Sequence, residues 1–210
     1  MNCRPIIGIT GGIGSGKSVV SRILRLLGYE VYDCDSEARL IMERSAEIRE
    51  SLISRFGSEA VNQEGSLNRR HIADRVFGNS EELKWLNSIV HKAVREDVAR
   101  RAELAMEGDK SLPEGATALL FVESAILATS GLAGMCREVW LVDAPEEVRL
   151  ERAMGRDGAP RQEIKRRMEA QKTETDALAA YSVCRIDNSG CRSLLGQIGV
   201  LLGDAGKGCD

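Results

Sequence analysis

What this sequence lacks narrows its chemistry first. It holds two histidines, His71 and His91, too far apart and too short of carboxylate partners to make a metal signature, so both are expected in packing or at the surface. Its six cysteines, Cys3, Cys34, Cys136, Cys184, Cys191 and Cys209, include no CxxC pair, which favours free thiols over zinc or disulfides. No long apolar run interrupts the chain and its opening does not read as a secretory leader, so a cytoplasmic setting with no membrane partner is expected. Aromatics make up only 4% of the residues, and Trp85 and Trp140 are most simply core. A net charge of −3 argues against nucleic acid as the main partner. The chain also carries no NKxD element, which speaks against a regulatory GTPase switch, and no internal repeat.

Glycine, by contrast, is concentrated where it has work to do. Gly11 to Ser18 read GGIGSGKS, which fits the pattern GxxxxGK[ST] of a phosphate-binding loop. Wrapping backbone N–H groups around phosphate oxygens needs conformations and a closeness of approach that a Cβ forbids. Gly12, Ile13, Gly14, Ser15, Gly16, Lys17, Ser18 and Val19 are therefore the candidate nucleotide-binding residues. In that pattern Lys17 reaches the β and γ phosphates, Ser18 offers its hydroxyl to Mg²⁺, and the helix that begins there points its positive end at the anion. The flanks agree: Ile6, Ile7 and Ile9 form a β-branched run, and Val20, Ile23, Leu24 and Leu27 recur at helical spacing until Gly28.

With 210 residues the chain can bury roughly 70% of its unfolded surface around one core, with room for a satellite. Further apolar runs lie around Val31 and Tyr32, at Leu119 to Val122, at Val139 to Val142 and near Val183 to Ile186, with helical patterns between most of them. That alternation predicts a doubly wound α/β sheet whose sites lie at the carboxyl ends of its strands. Residues 36–112 break the alternation with helical periodicity alone, including an apolar stripe of Leu83, Leu86, Val90, Val94 and Val98 preceded by a capping-box-like Asn79 and Glu82. The expected organisation is a nucleotide-binding core of 1–35, 113–148 and 173–205, a helical insertion of 36–112, a lid of 149–172 and a frayed tail of 206–210, with a polar turn over Gly108 to Ala116.

Carboxylates mark the strand ends. Asp33 and Asp35 close the second strand two residues apart, on one face if the chain stays extended, and a carboxylate beside a bound nucleotide suits taking an acceptor's proton. Glu123 ends the third strand, where holding Mg²⁺ through water and capping the next turn both stay open. After the fourth strand, Asp143, Ala144 and Pro145 lead into a helix with Pro at its first position. From Arg149 to Lys172 eight basic residues face four acidic ones, so positive charge gathers in a chain that is negative elsewhere. Arg152 and Arg156 share a helix face, Gly155, Asp157, Gly158 and Pro160 break it, and a basic helix follows: a lid that brings arginines to transferring phosphates. By themselves these residues leave nucleosides, nucleotides and sugars open as acceptors.

The motifs together resemble the dephospho-CoA kinase family, through GITGGIGSGKS, YDCDSEAR, SLNRRHIADRVFGNSEELKWLNSIVHKAV, FVESAIL, VDAPEEVRLERAMGRD, QEIKRRMEAQ and IDNSG. The resemblance implies a P-loop NTPase three-layer sandwich with a five-stranded parallel sheet, a CoA-binding helical insertion and a helical lid. It implies ATP and Mg²⁺ as cofactors, dephospho-CoA as substrate, and phosphorylation of its 3′-hydroxyl. Asp35 is similar to the family's base, with Asp33 just before it; Arg152 and Arg156 resemble its lid arginines, and Asn188 and Gly190 fall where adenine is bordered. The family commonly has His-Pro where this chain has His91 and Lys92, and many members carry a Pro-Leu-Leu run within the stretch Glu123 to Leu127.

Overall fold

A computed structural model describes residues 6–108 and 119–206. Most of the turn expected over Gly108 to Ala116, the tail beyond Gly206, and Cys3 and Cys209 lie outside them. Five strands, β1 (Ile6–Thr10), β2 (Glu30–Asp33), β3 (Leu120–Glu123), β4 (Glu138–Asp143) and β5 (Val183–Asp187), form one sheet in the order β2-β3-β1-β4-β5. Every pairing is parallel. All five apolar runs became strands; the central β1, β3 and β4 are buried at nearly every position, as strands covered on both faces require, while the edge strands β2 and β5 are only partly buried. β1 is buried at all of its positions.

Ile7 and Ile9 point to one face, where they meet Val20, Leu24, Phe121, Trp140 and Ile198. Phe121 lies edge-on to Tyr29 at 5.4 Å and tilted against Trp140 at 5.1 Å. Gly8 alternates to the other face, where an added Cβ would stand 2.4 Å from Leu127 Cδ2, so the chain that follows β3 presses on the strand itself.

The residues divide into two compact units, 1–33 with 100–210, and 34–99. The first holds the sheet with α1 (Lys17–Leu26), α6 (Glu146–Asp157), α7 (Arg161–Ala170), α8 (Lys172–Ala177) and α9 (Leu194–Gly206). The second holds α2 (Cys34–Arg44), α3 (Ala46–Phe56), α4 (Arg69–Val76) and most of α5 (Ser80–Gly108). Its boundary falls at Ala99 and not at 112, since from Arg100 onward α5 counts with the core. Arg101 illustrates why: it bonds Glu30 at 3.2 Å and lies over the Tyr32 ring at 5.0 Å.

Within the second unit Ile48, Leu52, Phe56, Ala60, Leu67 and Ile72 form the buried cluster, with Trp85, Leu86 and Ile89 against it. The expected stripe on α5 is thus shifted in its first turns: Leu83 is exposed and the neighbouring Trp85 packs instead, edge-on to Phe56. Asn79 does cap α5, accepting from the N–H groups of Glu81 and Glu82. Glu82 does not complete a reciprocal box; its carboxylate takes Arg55 in a two-bond pair, the stronger partner for an anion. Lys92 sits mid-helix and pairs with Glu96 one turn on, at a position where a proline would cost α5 a backbone bond.

Candidate active site

The glycine loop joins β1 to α1, so Gly16 ends the turn and Lys17 opens the helix. Gly14 and Gly16 hold positive φ values of 74° and 93°, conformations that a side chain would strain. Gly16 is also hemmed in, since a Cβ there would stand 2.1 Å from Asn188 Nδ2. Lys17 Nζ donates to the carbonyl of Gly11 at 2.7 Å, folded back over the loop it serves. Ser18 and Val19 are exposed at the first turn of α1. The side chain of Ile13 is anchored elsewhere, packed against the cluster of Leu150, Ala153 and Ile164 that joins α6 to α7.

The sequence motif did not disclose what braces the loop. Gln171, at the end of α7, accepts the Ile13 N–H at 2.8 Å. Three residues on, the buried carboxylate of Glu174 accepts from the N–H groups of Ala128 and Thr129 and from the Thr129 hydroxyl, at 2.6, 2.9 and 2.7 Å. Asn188 donates its side-chain N–H to the carbonyl of Ser15 at 2.7 Å, and its backbone N–H to Asp143. The loop between β5 and α9 is therefore tied to the glycine loop, and Gly190 turns it with φ 100°. Asp187 at its start has a carboxylate pushed below the usual range by hydrogen bonds from Ser189.

The carboxylates separate. β2 ends at Asp33, opposite Glu123 in the register of β3, so the two strand-end acids are neighbours. Asp35 is not on an extended strand: α2 begins at Cys34 and places Asp35 in its first turn, in the second unit. The shared strand face expected for Asp33 and Asp35 does not form, since an acid in the first turn of a helix meets the positive end of its dipole and favours the helical start.

On α6, Pro145 is the residue before the helix and not its first residue, and Gly155 lies within it; the break runs from Gly158, with φ 63°, to Pro160. Arg152 and Arg156 are exposed. Arg156 is bound twice to Asp157, which holds its guanidinium pKa up and the Asp157 carboxyl down. The arginine that stands against the loop is Arg149, one turn earlier, whose guanidinium would lie 2.1 Å from a Cβ at Gly12. A sequence signal existed in retrospect: Arg149 is in the first turn of α6, and a helical side chain leans toward the N-terminus, here toward the strand ends. Beside it a cavity of about 550 Å³ is lined by Asp143, Pro145, Arg149, Arg185, Asp187 and Gln197, among others.

Residues 5–192 match the family model for dephospho-CoA kinase. A dephospho-CoA kinase of Porphyromonas gingivalis is 40% identical over 193 residues, 91% of this chain and 90% of that protein. Among solved structures, TT1252 from Thermus thermophilus superposes with a TM-score of 0.71 at 34% identity, covering 95% and 96% of the two chains. A dephospho-CoA kinase from Campylobacter jejuni, 23% identical, shares the fold with a TM-score of 0.66 over 96% and 97%.

Proposed function

The chain belongs to the dephospho-CoA kinase family, and on that premise we infer its reaction: the terminal phosphoryl group of ATP passes to the 3′-hydroxyl of dephospho-CoA, giving coenzyme A, ADP and a proton. The observation that carries this reading is the glycine loop held between β1 and α1 within a chain that matches the family over residues 5–192.

The residues divide the work by position. Loop N–H groups and the N-terminus of α1 take the phosphate tail, and Lys17 exchanges the Gly11 carbonyl for a phosphoryl oxygen. Mg²⁺ fits the oxygen donors present, the exposed Ser18 hydroxyl and the neighbouring Asp33 and Glu123 carboxylates. An ion held by these residues with ATP would supply positive charge to offset that of the β and γ oxygens. Asp35 orients the acceptor hydroxyl and takes its proton, a role supported by its position two residues beyond the end of β2. Arg152 and Arg156 serve as lid cations; Arg156 gives up an exposed pair with Asp157 to do so, which costs little in water.

The helical unit of 34–99 serves the acceptor in this reading, supported by a cleft of about 540 Å³ within it, lined by Glu50, Ser51, Ser54, Arg55 and Trp85. A cytoplasmic setting, where thiols stay reduced, belongs to this reading. Among the described residues no helix is long and apolar enough to cross a membrane.

The test mixes protein, MgATP and dephospho-CoA, follows ADP release and weighs the product, with adenosine, AMP and gluconate as parallel acceptors. One added phosphate on dephospho-CoA alone is the expected result. Turnover on another acceptor with silence here would overturn the substrate and leave the loop's role standing.

A further inference from the structure

Arg149 is in an uncomfortable position for a cation. Its side chain keeps 21% of its exposure, and its Nε is buried with no hydrogen-bond partner among the described residues. Among the described residues its ion pair is a long approach to Asp143 at 4.0 Å, and Asp143 is shared with Arg185 at 3.5 Å and bonds its neighbour's N–H. A guanidinium carries five donors in a fixed fork, and leaving the buried Nε donor without a partner is costly. The glycine loop is built around this side chain. A Cβ at Gly12 would stand 2.1 Å from Arg149 Nη1, and one at Gly14 2.0 Å from the Arg149 carbonyl. Two glycines of the phosphate loop are thus small on the side where α6 arrives, and the cation stands where the loop gathers anions.

We propose that Arg149 is a phosphate-binding residue of the nucleotide site: when ATP is bound, its guanidinium turns from Asp143 to a phosphoryl oxygen, completing the loop's N–H groups and Lys17 from the α6 side. The proposal rests on the nucleotide-binding reading above but not on the identity of the acceptor. It differs from the role given to Arg152 and Arg156, which need a lid movement; Arg149 is already beside the loop.

Titration calorimetry without acceptor tests it, with MgATP and with inorganic tripolyphosphate, which offers phosphates alone. Arg149→Gln is expected to weaken both ligands by about 10- to 100-fold, the range of one charged hydrogen-bonding group. Arg149→Lys, which keeps the charge and loses the fork, is expected to recover part of that loss, and the ligand-free melting temperature is expected to stay that of wild type in both. Affinity within about twofold of wild type in Arg149→Gln would overturn the proposal. So would a loss of affinity that Arg149→Lys leaves unrescued and that comes with a lower ligand-free melting temperature, since that marks a prop for the loop. Wild-type protein that binds both ligands yet leaves dephospho-CoA unphosphorylated overturns the acceptor and leaves Arg149 in place.

Discussion

The sheet unit and the helical unit of this chain are stabilised differently. In the first, Ile7, Ile9, Phe121 and Trp140 are wholly buried in one cluster that spans the strands, α1 and α9. In the second, six buried residues make the cluster, Phe77 is 91% exposed, and pairs such as Arg55 with Glu82 and Arg69 with Glu43 lie at the surface. Surface pairs contribute about 0–1 kcal/mol each and apolar burial far more, so the two units differ in the cost of opening locally. The contrast matches their tasks. On the proposed function, phosphate binding depends on backbone N–H groups held in fixed positions, whereas a unit proposed to take the acceptor gains from opening at low cost.

The largest effect that sharpens this contrast is chemical. Asp35→Asn changes the first turn of α2, in the thinly packed unit, and is expected to lower kcat by roughly 10² to 10⁴ while ATP affinity stays near wild type. Activity within about twofold of wild type would take Asp35 out of the mechanism and with it the helical unit's part in the chemistry.

Next comes a pair of cavity variants. Phe121→Ala removes a ring packed on both Tyr29 and Trp140 and is expected to cost about 3–5 kcal/mol, lowering the melting transition of the sheet and ATP binding together. Leu52→Ala, equally buried but in the smaller cluster, is expected to cost about 2–3 kcal/mol and to raise hydrogen exchange within 34–99 while ATP binding persists. Equal exchange across both units in the Leu52 variant would dissolve the distinction.

How far the sequence could be read follows the same division. Central strands covered on both faces must be aliphatic runs, and even the partly buried edge strands β2 and β5 keep short apolar stretches, so all five were legible; the loop was legible because its glycines answer to phosphate geometry. The insertion was legible as helices, but its stripe on α5 slipped toward Trp85, because a thin cluster fills with whichever large side chain reaches it. What stayed hidden was contact across long sequence gaps: Gln171 on Ile13, Glu174 on Ala128 and Thr129, Arg149 against Gly12. In a charge-rich stretch the local sign of which cation turns inward is a weak one, the distance from the start of α6, where Arg149 precedes Arg152 and Arg156.

That last difference predicts opposite behaviour within one helix. Arg156→Met is expected to change ligand-free stability by about 0.5 kcal/mol or less, because its pair with Asp157 is exposed, and to lower kcat by roughly 10²-fold through loss of a lid cation. A loss of stability above about 1 kcal/mol with kcat intact would make it a structural brace for Asp157, the residue that pairs with Arg167 of α7.

The smallest effect is a pH slope confined to the helical unit. Burial, aided by the charge of Arg95, pushes His91 below its ordinary value of 6.5, so the folded unit prefers the neutral ring. Above that value both folded and unfolded chains carry a neutral His91 and it adds no pH dependence. As pH falls through 6.5 the unfolded chain takes up the proton first, and by linkage the fold loses stability until the folded ring also titrates. His91→Gln removes this term. Denaturant unfolding at pH 7.5 and 5.5 is therefore expected to show a smaller loss in the variant than in wild type, and hydrogen exchange should locate the difference within 34–99. An equal loss in both proteins would place the acid sensitivity outside His91, and also outside Asp157 and Asp187, whose lowered carboxyl pKa values act only near and below pH 4.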